Sequence, residues 1–167
     1  MQKLNLTELS ENFIRAIGQE WMLITAGAPE HFNTMTASWG CVGWLWNRPV
    51  AIAFIRPERY TYEFVENSDH FTLAFLGEEH RQIHTVCGSQ SGRAVDKVAA
   101  TGLQPILTEL GHVTFGQARL TLDCQKLYAD TFKPENFLSQ IPFRWYGEAE
   151  GGYHKMYIAE ILAAYTR

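Results

Sequence analysis

The sequence predicts a mainly β fold, an antiparallel barrel with peripheral helices. Three observations predict it: six or more segments have strand character, the helical segments between them are short, and no repeat or flexible linker divides the chain.

In order along the chain, residues 7–17 form a short amphipathic helix pattern with Leu9, Phe13 and Ile17 on one face. Trp21 to Ala26 reads as a strand. Thr34 to Gly40 alternates hydroxyl and apolar residues, the period of a half-buried strand. Pro49 interrupts, and Val50 to Ile55 reads as a strand buried on both faces. Pro57 opens a turn before a helical stretch at Thr61 to Glu66. A strand follows at Phe71 to Leu76, then helices at Glu78 to Val86 and Ala94 to Ala99. Val113 to Cys124 reads as one long strand, with Gly116 and Ala118 where bulk is excluded. The last strand runs from Tyr153 to Ala164.

Bulk properties narrow the function. A chain of 167 residues suits a single domain, taken here as residues 1–167. It buries roughly two thirds of its unfolded surface, enough to fold without disulfides or a metal. The net charge of −4 argues against nucleic-acid binding, which needs a broad basic face. Three widely spaced cysteines, Cys41, Cys87 and Cys124, with no CxxC pair, point to a reduced, cytoplasmic setting. The N-terminus has no apolar signal core, and the apolar runs are too short to span a bilayer.

Three features meet between residues 33 and 61. The first is Asn33-Thr34-Met35-Thr36-Ala37-Ser38-Trp39-Gly40, whose backbone amides and short hydroxyls suit the polar edge of a planar heterocycle. The second is Gly40-Cys41-Val42-Gly43, where missing side chains let a flat ligand approach. The third is Arg56-Pro57-Glu58-Arg59-Tyr60-Thr61, two guanidinium groups, a phenol and a hydroxyl at a helix start, a chemistry that holds phosphate. A second polar patch, Cys87-Gly88-Ser89-Gln90-Ser91-Gly92-Arg93 followed by Asp96 and Lys97, reads as a loop able to wrap phosphate. It is not a Walker loop. Each feature alone also fits a solvated strand face or a surface turn.

His80, His84 and Cys87 share one helical face, the spacing of a zinc site, but a fourth ligand is missing. No metal is expected. Cys41 reads as a small buried apolar residue rather than a redox thiol. Trp39, Trp44 and Trp46 suit ring stacking or packing at an interface.

In the order of these motifs, the chain resembles the flavin reductase-like family of FMN-binding split barrels, flavoredoxin included. The resemblance is carried by Asn33 to Gly40, Pro49, Arg56 with Arg59-Tyr60-Thr61, Phe71, Ser91-Gly92 with Lys97, and His154 to Ile161, over roughly residues 20–165. In the terminal strand Ala159-Glu160-Ile161 replaces the family's Gly-Glu-Val. The resemblance implies a Greek-key split barrel and a homodimer with FMN at or near the subunit interface. It places the strand Asn33–Trp39 at the flavin ring, Arg56, Arg59, Tyr60 and Thr61 near the phosphate, and Ser91, Gly92 and Lys97 at that same end. His154 is the candidate catalytic residue, contacting the second substrate.

With FMN bound, the flavin carries the redox chemistry and the protein sets its position. No Rossmann GxGxxG is present, so NAD(P)H would be a transient substrate. Two functions stay open: an oxidoreductase passing electrons from NAD(P)H through FMN to an acceptor, or a flavin-binding electron carrier or other planar-ligand protein without NAD(P)H turnover.

Overall fold

The computed structural model describes residues 1–147 and 151–167. Among these there are ten strands: β1 (Gln2–Leu4), β2 (Met22–Ala28), β3 (His31–Ala37), β4 (Gly40–Leu45), β5 (Arg48–Ile55), β6 (His70–Phe75), β7 (Pro105–Leu107), β8 (Val113–Phe115), β9 (Leu120–Thr131) and β10 (Lys155–Thr166). The helices are short: α1 (Phe13–Arg15), α2 (Tyr60–Glu66), α3 (Arg81–Ser89) and α4 (Lys97–Thr101).

One antiparallel sheet runs β3-β2-β6-β9-β10-β5-β4, with β1 added to β10. β3 and β4 are its two edges, yet only Ser38 and Trp39 separate them in sequence. Three residue steps span at most roughly 11 Å, so the sheet must curl until its edges meet at that corner. No ladder joins β3 to β4, and the barrel is therefore split there rather than closed.

Strand alternation sends residues to two different cores. Met22, Ile24, Met35, Ala51, Ala53, Phe71, Leu73, Leu122 and Tyr157 fill the barrel interior. Leu23, Ala74, Leu76, Ile83, Cys87 and Phe115 form a second cluster between the outer sheet face, α3 and β8. Two-sided coverage explains why β2 is buried on both faces from Met22 to Ala26, its one polar side chain, Thr25, being hydrogen-bonded to Thr34. In β5 the expected burial on both faces is incomplete: Ala51, Ala53 and Ile55 are buried, whereas Ile52 and Phe54 on the opposite face are half-buried.

Other expectations are corrected by local chemistry. Pro49 does not interrupt β5, because the pairing with β10 begins only at Val50 and proline's missing N–H costs nothing on that side. Gly40 to Leu45 is a full strand, β4, turned back by Trp46 and Asn47, both at positive φ of 52° and 55°. The helix expected at residues 7–17 is broken. Asn5 and Asn12 each cap a separate turn, and α1 passes into a π-helical turn at Ala16–Glu20. Its apolar face still packs, since Leu9 and Phe13 lie against the core and Ile17 is buried in it. The long strand expected at Val113–Cys124 is two strands, because Gly116 and Ala118 form the bend between β8 and β9. The carboxylate of Asp96 accepts from the Val98 and Ala99 amides, so α4 starts at Lys97 rather than Ala94. The loop expected from Cys87 is helical as far as Ser89.

Candidate functional site

Two helix starts and one helix end converge beside the edge strand β3. Arg59-Tyr60-Thr61 lies at the start of α2, Gly88 to Ser91 at the end of α3, and Lys97 at the start of α4. With Glu58 they line a cavity of about 160 Å³. That is smaller than the roughly 300–1,000 Å³ of whole-ligand pockets, and suits one polar head group.

The charges in this cradle are unusual. Lys97 is 6% exposed and donates to the Thr34 carbonyl at 2.7 Å and the Cys87 carbonyl at 3.0 Å. Arg59 donates to the same Cys87 oxygen at 3.3 Å. Two cations therefore meet on one neutral acceptor, and neither has a carboxylate partner among the described residues. Burial pushes Lys97 down to about 8, with the neighbouring Arg59 charge adding to the effect. Burial also lowers Arg59, again helped by a like charge, here Arg56. Buried charge without a counter-charge is costly, and a bound anion would offset that cost.

Asn33 and Gly92 set the wall of the cradle. The Asn33 amide donates to the Thr61 hydroxyl at 2.8 Å. A Cβ on Gly92 would overlap the Asn33 carboxamide oxygen and stand 3.1 Å from the Tyr60 ring. Tyr60 itself is packed edge-on to Phe64 with the Arg93 guanidinium 4.4 Å from its ring centre. Ser91 accepts from the Arg93 amide at 3.2 Å, which shapes the turn after α3.

The hydroxyl row of β3 is arranged differently from expectation. Thr34 is bonded to Thr25 and the Ile24 carbonyl, and Thr36 donates to the His84 carbonyl at 2.7 Å. Met35 and Ala37 point into the core. These side chains hold β3 in place, and its unpaired edge leaves backbone groups as the available polar contacts.

At the far end of β3 lies an apolar cavity of about 490 Å³ lined by Ile17, Ser38, Trp39, Gly40, Phe54 and Phe132, among others. Trp39 is five residues from Thr34, at most about 16 Å along an extended chain. Its ring centre is 4.8 Å from that of His154 and 5.5 Å from that of Trp145. His154 is 8% exposed, hydrogen-bonded at 3.1 Å to the Tyr146 hydroxyl, and lowered to about 4 by burial and by the Arg56 charge. Arg56 belongs to this end: it donates to the Trp145 carbonyl at 2.7 Å and does not line the cradle. The structure thus gathers Asn33, Arg59, Tyr60, Thr61, Ser91, Gly92 and Lys97 at one end, and Ser38, Trp39, Arg56 and His154 at the other.

Sequence reasoning missed the Cys87 carbonyl, Glu58, Trp145 and Tyr146. Only the aromatic run Phe143 to Tyr146 offered a signal. Glu58 accepts from the Gly152 amide at 2.7 Å, which pins the chain just before His154. Cys41 is exposed on β4, contrary to its reading as buried, because its side chain lies on the sheet face away from the barrel core. His84 and Cys87 are buried, with His84 Nδ1 3.4 Å from the Thr36 hydroxyl; no group of three metal-ligating side chains occurs among the described residues. A larger cavity of about 690 Å³ beyond Tyr60 carries Glu30, Glu63 and Asp69, a poor setting for an anion.

Fold and site define a split antiparallel barrel with a buried cationic cradle at one end of an edge strand and an aromatic cavity at the other. Residues 14–167 match the family model described as the flavin reductase like domain, and the chain belongs to that family. Among solved structures, it is similar to an FMN-binding protein from Thermus thermophilus with bound p-hydroxybenzaldehyde. The TM-score is 0.70 and the identity 19%, covering 100% of this chain and 82% of that one. It is also similar to flavoredoxin from Methanosarcina acetivorans, with TM-score 0.66, identity 21%, and coverage of 89% and 68%. An NADH:FAD oxidoreductase from Streptomyces globisporus C-1027 gives TM-score 0.65, identity 14%, and coverage of 89% and 75%. These likenesses establish the FMN-binding split barrel fold. The family gives a flavin as the cofactor class. No curated protein matches the chain. Among the described residues, no helix is long and apolar enough to cross a membrane.

Proposed function

We propose that residues 1–167 act as one FMN-binding domain, an oxidoreductase passing electrons from NAD(P)H through FMN to an acceptor. The observation that carries the reading is the meeting of Arg59 and Lys97 on the Cys87 carbonyl with no carboxylate between them. A phosphate group supplies the missing negative charge. Asn33, Thr61, Ser91 and Gly92 shape the cradle, and the free edge of β3, from Thr34 and Met35 through Thr36 to Ala37, continued by the corner residues Ser38 and Trp39, supplies backbone donors and acceptors for a ring edge. FMN, when bound, supplies two-electron redox chemistry. His154, neutral and backed by Trp39, contacts the second substrate, for which NAD(P)H is the proposed transient donor.

A homodimer is supported by large apolar side chains left in water. Ile14, which lines the aromatic cavity, and Trp44 and Trp46, at the far end of β4 and in the turn after it, are 90%, 64% and 56% exposed. Three free cysteines support a reduced, cytoplasmic setting.

Steady oxidation of NADH or NADPH by the FMN-loaded protein tests the enzymatic reading. A flavin that is photoreduced yet never reduced by either nucleotide would leave the alternative, an electron carrier of the flavoredoxin kind.

A further inference from the structure

We propose that Tyr146 is a positioning residue for His154: its phenol donates to Nδ1 and holds the imidazole as the neutral tautomer whose Nε2–H is the single donor offered to the second substrate. The inference rests on the reading of His154 given above.

The geometry fixes both partners. Tyr146 Oη lies 3.1 Å from His154 Nδ1. The Tyr146 ring stacks on Tyr153 at 4.7 Å and 29°, and lies 5.9 Å from the Phe137 ring. On the other side, the imidazole leans on Trp39, and the His154 carbonyl accepts from the Phe132 amide at 3.0 Å. Neither ring is free to swing away.

The direction of the bond follows from the donors present. Among the described residues the Tyr146 hydroxyl has no other hydrogen-bond partner. If Nδ1–H donated to the phenol instead, the phenolic hydrogen would have no acceptor among the described residues. The Arg56 guanidinium lies 5.5 Å from the Tyr146 ring centre. A cation there makes the O–H a better donor and opposes an imidazolium. Glu58, also close to His154, favours the imidazolium but is outweighed by burial and Arg56. Burial meanwhile raises Tyr146, so the phenol keeps its proton. A neutral imidazole with Nδ1 accepting carries its proton on Nε2.

The test is long-range proton–nitrogen NMR of protein labelled with 15N-histidine, with the His154 signals assigned through His154→Asn. In the unsubstituted protein near pH 7, His154 shows a protonated Nε2 and an unprotonated Nδ1. Tyr146→Phe keeps the stacked ring, converts His154 to a mixture of tautomers and raises its pKa. A protonated Nδ1 in the unsubstituted protein overturns the proposal, even if Tyr146→Phe does not fold. An unchanged tautomer in a folded Tyr146→Phe variant does so as well. Absence of NAD(P)H oxidation alongside the expected spectrum would sink the functional reading and leave this one standing.

Discussion

Lys97 Nζ lies 2.7 Å from the Thr34 carbonyl oxygen, joining the start of α4 to the free edge of β3 and holding an ammonium group almost wholly out of water. The relationship is unfavourable for the empty protein and favourable for an anion complex, and it therefore separates the two in experiment.

Lys97→Met should stabilise the apoprotein while weakening FMN binding about tenfold to hundredfold, the worth of a charge-assisted contact of ~1.5–3 kcal/mol. The sign follows from the lowered pKa. Below about 8 the folded protein must carry a buried charge that the unfolded chain carries in water, and this penalty lessens as pH rises from about 8 towards 10.5. For the same reason FMN affinity should fall between pH 8 and 9.5 with uptake of a proton. Arg59, a guanidinium, stays charged there, and burial raises the thiol of Cys87, so that it ionises later than an ordinary thiol. Calorimetry in two buffers of different ionisation enthalpy reads the proton. A flat pH profile in the unsubstituted protein would contradict the assignment.

The two arginines should behave differently. Arg59→Ala removes a cradle cation and is expected to cost FMN at least about tenfold in affinity. Arg56→Ala leaves the cradle intact and acts at the His154 end, with a smaller loss of affinity and a higher His154 pKa. Fluorescence titration of both variants with FMN would sink the partition if their affinities dropped equally.

Gly92→Ala places a methyl group against Asn33 and Tyr60, 2.9 Å from the Asn33 carboxamide carbon. Displacing Asn33 breaks its bond to Thr61, so the substitution is predicted to cost about 1–3 kcal/mol of stability along with FMN affinity. Thermal melting with and without FMN measures both losses. An unperturbed melting temperature would show that the wall yields freely.

Acid should unfold the protein through two buried imidazoles. His84 and His154 are each lowered from 6.5 to about 4 by burial, and nearby cations add to this, Arg81 at His84 and Arg56 at His154. Between those values the unfolded chain binds up to two more protons than the native one, so stability is lost as pH falls from about 6.5 to 4. His84→Gln should flatten part of that slope in urea titrations at several pH values. The Nε2 of His84 has no partner among the described residues, which makes this ring the easier one to replace.

Much of this was legible in the sequence because short-range chemistry decides it. Strand alternation at Thr34 to Ala37 and the helix expected at Thr61 to Glu66 follow from spacing and residue type, whereas the clustering of Arg59, Thr61, Ser91 and Lys97 was implied only by the family resemblance. What could not be read depended on tertiary partners. Arg56 and Arg59 are three residues apart, yet the turn between them sends one to Trp145 and the other to the end of α3. The Thr34 and Thr36 hydroxyls looked like ligand contacts because nothing in a strand pattern reveals that Thr25 and the His84 carbonyl engage them. The break of the predicted long strand at Gly116 turns on hydrogen bonds to Gln104 and Phe75, both remote in sequence.

Binding of FMN compared with riboflavin tests the central claim most directly, because the two ligands differ only in the phosphate assigned to Arg59 and Lys97. Titration of the apoprotein, followed by flavin absorption after desalting, should give one tightly held FMN per chain and at least tenfold weaker riboflavin. A protein that retains no flavin, or that holds riboflavin as tightly as FMN, would contradict the account.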